Sequence, residues 1–494
     1  MRSTFMGLET AKRGMYTQQS AIHVTGHNIA NKNTPGYSRQ RVHFKQSEPY
    51  PAASMNRPQI PGQVGTGVHG GIIERIRDSF VDEQFRGENT KLGYYESMAS
   101  SISKMEDIMN EPSDVGLAKA MAQFWQSLQS LSTNPENEGS RRVVIQRATS
   151  VAETFNYLHD SLTTIKNDTK KELDITVNEI NALATDIAAI NKQISEIEPH
   201  GYLPNDLYDE RDRMVDQLSK LVPIESESVQ YGGNSLSIAE GGRTISITLN
   251  GAKVRLINDT ETNKLEWDNT KEHLFLNNRE VTFDSLGEGK GKLAALFHAH
   301  DVDYPDMLTD LDKYAYTFAQ VFNEVHSQGL DLNGDAGQAL FDVGALQGAA
   351  GRMNIIITDP AKIAAALQGT ESGNGGNALN LAKIKDAVIS EGVIEGLENL
   401  PPLEIRSGTM QSFYEGVIGS MAVKGQHANR LLYNTNVLVD SVSQTRSSIS
   451  EVSLDEEFSN LIQYQHAYSA SARMISVIDE MLEKIINGMG IAGR

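Results

Sequence analysis

Three groups of residues in this 494-residue chain have types and spacings that could do chemistry. Asp331, Asn333, Asp335 and Asp342 stand at the first, third, fifth and twelfth places of a calcium-wrapping loop. The sixth place, where such a loop turns sharply on glycine, holds Ala336, and Asp342 is shorter than the glutamate that grips the ion with both oxygens. A surface turn closed by aspartate side chains is the default expectation, and calcium stays open beside it. Gly65-Thr66-Gly67-Val68-His69-Gly70 has the spacing of a phosphate-cradling loop, which needs a strand before it and a helix after it. Here prolines precede it and Ile72, Ile73 and Ile76 follow, so it reads as a glycine-rich strand entry. His298 and His300 are two residues apart, which on a helix places them on different sides and prevents joint metal ligation.

Nothing else offers a reaction. The absence of cysteine removes disulfides, thiolate metal sites and cysteine nucleophiles. No glycine-flanked nucleophile serine occurs, and the many acids fall on solvated helix faces. No catalytic residue, cofactor or metal is therefore expected. A net charge of −20 argues against nucleic acid as a partner, since phosphates need a basic surface. Hydrophobic content of 39% with 22% charged residues describes a globular chain, and no window approaches the roughly 20 apolar residues of a membrane span.

The elements carry the information instead. Leu8, Met15, Ile22 and Ile29 recur every seven residues, with Ala11, Gln18 and Thr25 between them, the narrow seam of a coiled coil. A matching alternation returns at the other end as Leu454, Phe458, Leu461, Gln465, Tyr468, Ala472, Ile475, Asp479, Leu482 and Ile486. Residues 1–45 hold seven Lys/Arg against Glu9 alone, and residues 451–494 hold three against seven acids, so the two ends attract. The expectation is an assembly seam joining Leu8, Met15, Ile22 and Ile29 to Leu454, Phe458, Leu461, Tyr468, Ile475 and Leu482. Between helix and body lies a loop of turn formers, with Pro35-Gly36 suited to the centre of a type II turn.

The middle divides by periodicity. Residues 78–132 read as two helices separated by Asn110-Glu111-Pro112-Ser113, Ser140 to Ile197 as one rod of roughly 85 Å, and Leu207 to Leu221 as a shorter helix. Alternation around Asn250-Gly251 and Asn277-Asn278 marks hairpins, and helix returns over Gly291 to Ser327 and Gly408 to Ile449. The fold class is mainly α with an inserted β domain, elongated and multidomain. Its parts are residues 1–64 with 450–494 (terminal coiled coil and connector), residues 65–224, 289–330 and 405–449 (helical rod), residues 225–288 (β insert) and residues 331–404 (mixed and loop-rich). Residues 46–64 are expected as an extended proline-rich connector without regular pairing and residues 369–380 as a flexible loop.

Asn28-Ile29-Ala30-Asn31 followed by Thr34-Pro35-Gly36-Tyr37-Ser38-Arg39-Gln40 resembles the N-terminal signature of the bacterial flagellar axial proteins of rod, hook and hook–filament junction. Leu454-Asp455-Glu456-Glu457-Phe458, Tyr464-Gln465-His466-Ala467-Tyr468 and Asp479-Glu480-Met481-Leu482 resemble the C-terminal signature, closest to the junction members. The resemblance implies a structural subunit that self-associates into a ring, touches the hook protein and the second hook-associated protein, and offers its C-terminal helix to an export chaperone. Phe5-Met6-Gly7-Leu8 is too short an apolar core for a signal peptide. The resemblance implies export through the flagellar apparatus, uncleaved, to an extracellular location. It points to Asn28, Asn31, Thr34, Pro35, Gly36 and Tyr37 as the signature loop. A hook or distal-rod subunit, or a cell-wall hydrolase carried on an axial scaffold, are the alternatives.

Overall fold

The computed structural model describes residues 4–51, 54–55, 62–109, 116–268, 273–367, 373–397 and 400–488. Helix α1 (Thr4–Ala30) opens it and stops where Asn31, Asn33 and Pro35 favour turns. Strands β1 (Gln40–Gln46) and β2 (Val68–Arg75) then form an antiparallel pair beside α1. Past β1, Tyr50 and Val64 exchange backbone hydrogen bonds of 2.9 and 2.8 Å, an isolated bridge and not a regular strand pair. The connector's Pro58 and Pro61 lie outside the described residues.

The body is built on α2 (Ser79–Met109), α3 (Leu117–Thr133), α4 (Glu138–Ile197) and α5 (Asn205–Leu221). The break expected at Asn110–Ser113 falls outside the described residues. Helix α4 begins where the Asn137 side chain accepts from the Ser140 N–H, with Glu138 beside the positive end of the helix. Its 60 residues make a rod of about 90 Å. The rod serves two cores in succession. Val144, Ala148, Val151, Phe155, Leu158 and Leu162 belong to the first, Leu173, Val177, Ile180, Ala184 and Ile187 to the second.

The second core contains the β insert. Strands β3 (Ile224–Val229), β4 (Gly242–Leu249), β5 (Ala252–Asn258) and β6 (Glu261–Thr262) form one antiparallel sheet in sequence order. Strands β7 (Leu265–Asp268), β8 (His273–Leu276) and β9 (Arg279–Val281) form another. Asn250 and Gly251 have φ of 50° and 73°, and Asn277 and Asn278 have 52° and 62°, the left-handed pairs that tight hairpins require. The insert has no separate interior: Ile245, Leu256, Leu274 and Leu276 pack with Val215 and Leu218 of α5 and with the far half of α4.

After the short α6 (Phe283–Leu286) the helix expected over Gly291–Ser327 is interrupted. Helix α7 (Gly291–His298) and helix α8 (Tyr304–Ser327) flank a π turn, Ala299–Asp303. Pro305, which lacks an N–H, sits in the first turn of α8, where no intrahelical partner is needed. The wide turn brings Asp303 to His298 Nδ1 and Lys424 Nζ, both at 2.9 Å.

Residues 331–404 are not a separate loop-rich part. Leu340, Phe341, Met353, Ile363, Ile389 and Ile405 enter the first core, where Phe341 closes an aromatic cluster with Phe124, Phe318 and Phe322, centroids 4.9 to 5.9 Å from its own. Helix α9 (Ala349–Arg352) precedes α10 (Gly376–Lys383), which takes up the last five residues of the predicted flexible loop and buries Ala378 there. Residues 369–372 of that loop lie outside the described ones. Helix α11 (Met410–Ser450) starts in a reciprocal cap between Thr409 and Ser412 and runs back along α2. Helix α12 (Leu454–Gly488) then returns antiparallel to α1.

Candidate assembly interface and its anchor

The seam between α1 and α12 is displaced by one residue from the expected one on α1. A Cβ on Gly7 would lie 3.3 Å from Ile478 Cδ1, and one on Gly14 would lie 3.2 Å from Ser471 Oγ. Ala21 packs with Tyr464, and Asn28 donates to Glu457 Oε2 at 3.1 Å. Gly7, Gly14, Ala21 and Asn28 thus form the contact row, with Ala11 and Thr25 buried beside it. Leu8, Met15, Ile22 and Ile29 flank that row, half-buried. On α12 the half-buried Leu454, Leu461, Tyr468, Ile475 and Leu482 keep the expected heptad. The intermediate positions are Glu457, Tyr464, Ser471 and Ile478, one residue earlier than Phe458, Gln465, Ala472 and Asp479. Phe458 is 50% exposed and is no part of this contact. On α1 the closest approach falls on small residues, which let the backbones come together while the larger apolar side chains flank the contact.

Asn28 joins helix, loop and partner. Its Oδ1 accepts from Tyr37 Oη at 2.8 Å and from the Gln40 N–H at 3.0 Å, while Nδ2 donates to Gln40 O at 2.8 Å and to Glu457. Both lone pairs of Oδ1 and both hydrogens of Nδ2 are used, so the buried amide is fully satisfied. Within the loop the Tyr37 N–H donates to Thr34 O at 3.2 Å, and Gly36 between them has φ of 82°. Asn31 receives the Thr34 hydroxyl at 3.1 Å and Pro35 is exposed. The Arg39 N–H reaches Ser450 O at 2.8 Å, and its guanidinium pairs with Glu456.

Below this loop the terminal hairpin meets the body through a buried ionic cluster that the sequence reading missed. Arg75 and Arg77, two apart on an extended segment and so on one face, reach toward α5. Arg75 contacts Asp209 at 2.8 Å, Asp212 at 2.5 Å and Glu240 at 2.6 Å; Arg77 contacts Asp82 at 2.7 Å and Asp212 at 3.4 Å. Arg86 adds Asp212 at 3.1 Å and Asp216 at 2.8 Å, and Arg446 of α11 bridges Asp82 at 2.8 Å and Asp216 at 2.6 Å. The Ser38 N–H donates to Asp209, and Asn205 Nδ2 to Ile73 O at 3.0 Å. Asn205, Asp209, Asp212 and Asp216 share one face of α5, a polar stripe that reads as solvated yet lies inside the protein. The usable signal was Arg75-Ile76-Arg77 opposite that stripe.

Burial alone would raise the Asp212 carboxyl, but Arg75, Arg77, Arg86 and Arg211 together hold it well below the usual carboxylate range. Asp209 goes the other way, because its burial outweighs Arg75 and the Ser38 donors. Burial lowers Arg211 to about 10, against the pull of Asp212 and Glu240. Tyr208 lies between two guanidiniums, Arg75 and Arg211, each 5.2 Å from its ring centroid. The cluster therefore ties β2, α2, α5, α11 and the β insert's Glu240 into one joint.

The chemical candidates resolve differently. Asp331 Oδ1 accepts from the N–H groups of Asn333 at 2.7 Å and Asp335 at 2.9 Å, an aspartate-closed turn, and Asp342 accepts from Gly344 at 3.2 Å. Gly67 abuts Thr10 of α1 and leads into β2, so the glycine run serves packing. His298 and His300 pair separately, with Asp303 and Asp301. Among the described residues no group of three His, Cys, Asp or Glu is placed to hold a metal ion. No described helix is long and apolar enough to cross a membrane.

A long rod with two inserted lobes, whose ends come together as an antiparallel helix pair, defines an elongated structural subunit with joined termini. Residues 8–37 match the family of flagella basal body rod proteins, and residues 443–488 match the C-terminal family of the basal body rod proteins FlgEFG. Residues 102–341 match the helical domain of flagellar hook-associated protein FlgK. Flagellar hook-associated protein 1 of Bacillus subtilis (strain 168) is 40% identical over 521 residues, covering 100% of both chains. The same-named protein of Escherichia coli (strain K12) is 24% identical, covering 97% of this chain and 99% of its own. The flagellar hook junction protein FlgK of Burkholderia pseudomallei, 14% identical, shares the fold with a TM-score of 0.61 over 74% of this chain and 100% of its own. The chain belongs to the flagellar hook-associated protein 1 family, and it is a structural component of the bacterial flagellum.

Proposed function

We propose that the paired termini are the element through which copies of this chain assemble into a ring at the hook–filament junction. The observation that carries this is the apolar surface that α12 leaves uncovered. Phe458, Ile462, Met474, Val477 and Met481 are 48 to 57% exposed there, although the helix already has α1 as a partner. Large apolar side chains left this exposed on both flanks of one helix fit a surface that further helices cover. The hook protein lies on one side of the ring and the second hook-associated protein on the other. An export chaperone grips the C-terminal helix before assembly, and the chain leaves the cell through the flagellar export apparatus without cleavage. The role is structural and not enzymatic.

The test is to add purified variants to cells lacking the protein and count rings on hook tips by electron microscopy. Leu461→Asp and Ile475→Asp place carboxylates in the seam and should abolish rings; Ser459→Asp, exposed, should not. External addition separates assembly from secretion. Normal rings with Leu461→Asp would falsify the seam's role.

A further inference from the structure

The α1–α12 seam repeats itself, and that creates a question of register. Gly7, Gly14, Ala21 and Asn28 stand seven apart, and so do their partners Ile478, Ser471, Tyr464 and Glu457 in reverse order. Three of the four pairs set a small residue against a side chain with no specific polar bond. Move α12 one heptad toward the body and the row becomes Gly14 with Ile478, Ala21 with Ser471 and Asn28 with Tyr464, while exposed Ile485 arrives at Gly7. Move it one heptad the other way and Gly7 meets Ser471, Gly14 meets Tyr464 and Ala21 meets Glu457. In either displaced row the helices fit about as closely, since glycine and alanine again face the larger partner.

Within the row only the last pair tells these registers apart; outside it, Arg39 with Glu456 and Phe44 with Tyr464 add contacts at the rim of the seam. Glu457 is 4% exposed and accepts from Asn28 Nδ2 and from the Thr25 side chain. Asn28 is 1% exposed and has its remaining bonds fixed on the loop, so it cannot follow a displaced helix. A slip in one direction drives the Glu457 carboxylate against Ala21 with its donors lost. The opposite slip leaves the Asn28 amide facing a tyrosine ring. A buried polar pair in an otherwise interchangeable apolar seam disfavours every register but one. We propose that Asn28 and Glu457 are the register-determining residues of the terminal helix pair, and that without them the pair populates a register displaced by seven residues. The inference concerns contacts within one chain and does not depend on ring formation.

The chain has no cysteine, so disulfide trapping is free of background. Ser471→Cys is combined in turn with Gly14→Cys for the observed register and with Gly7→Cys or Ala21→Cys for the two displaced ones. Each full-length double-cysteine chain is equilibrated in glutathione buffer, and the intrachain disulfide is quantified by mass spectrometry. Effective concentrations at equilibrium compare registers even when the ends open transiently. With Asn28 and Glu457 in place, the Gly14 probe should exceed each displaced probe by about tenfold or more. With Asn28→Leu and Glu457→Leu together, or Asn28→Leu alone as the gentler change, one displaced probe should rise to within about threefold of it. Two outcomes overturn the proposal. Unchanged dominance of the Gly14 probe means that contacts outside the row, those of Arg39 with Ser450 and Glu456 and of Phe44 with Tyr464, set the register. Loss of all three disulfides means that the polar pair is needed for closure and not for choice.

Discussion

Asp212 shows how a residue that looks solvated in sequence carries the joint between termini and body. It lies inside a shell of Arg75, Arg77 and Arg86, and removing it leaves three buried guanidiniums short of a carboxylate. Asp212→Ala should cost about 3–5 kcal/mol in chemical denaturation followed at the joint. Because its folded pKa is depressed, its stabilisation is present above the unfolded value near 4 and is lost as pH falls below it. His326 gives a separate signature. Its Nδ1 donates to Gln338 O at 2.6 Å and its Nε2 accepts from the Ala364 N–H at 2.9 Å, so only the neutral ring fits. Burial pushes its pKa down to about 4. The proton is bound more weakly in the folded state, so this stabilisation is complete above about pH 6.5 and is lost as pH falls toward 4, about 3 kcal/mol in all. Melting curves across pH 4 to 7 should steepen for the native chain and flatten for His326→Gln; equal pH slopes would rule out His326 as the source. Gly36 must keep φ of 82° with Arg213 Cβ only 3.4 Å from where its own Cβ would be. Gly36→Val should cost about 1–2 kcal/mol locally and impair ring assembly more than folding of the body. Variant rings as frequent as the wild type would contradict that.

At the scale of elements, periodicity disclosed what is local and hid what is mutual. The long rod, the hairpins at Asn250-Gly251 and Asn277-Asn278, and the separation of α11 from α12 were legible because caps, turn residues and apolar spacing act within one segment. The contact row Gly7, Gly14 and Ala21 was not, since closeness between backbones is written in residues that carry no hydrophobic signal. The same holds for the π turn at Ala299–Asp303, whose Asp303 is stabilised by Lys424 more than a hundred residues away. Residues 331–404 looked loose because each apolar run is short, yet each run finishes a core begun by α3, α4 and α8. One close crossing tests this view. A Cβ on Gly93 of α2 would sit 2.0 Å from Lys220 O of α5. Gly93→Ala should therefore separate the two helices and cost about 1–3 kcal/mol, despite alanine's better helix propensity. A melting temperature unchanged or raised would show that α2 and α5 can part without loss.

Across the whole molecule, burial is distributed unequally, and that ranks the parts by how readily they open. Two cores hold the rod, the β insert and residues 331–404, whereas α12 buries only Glu457 among its described residues and α1 relies on α12 and the hairpin. Elements with few buried apolar contacts open at low free energy, and a narrow seam gains little until more helices close around it. Limited proteolysis of the isolated chain should therefore trim both ends to a resistant body of about residues 70–440, with α1 and α12 cut before any site in α4. The ionic joint sets the inner limit of this trimming, since β2 and the end of α11 are held by Arg75, Arg77 and Arg446. Asp212→Ala should move the limit inward and speed cleavage near residues 75–80 several-fold, while leaving the two cores resistant. Termini that resist the protease as long as α4 does, in the isolated chain, would mean that the helix pair is already complete without neighbours. That result would also remove the reason for its exposed apolar surface to seek them.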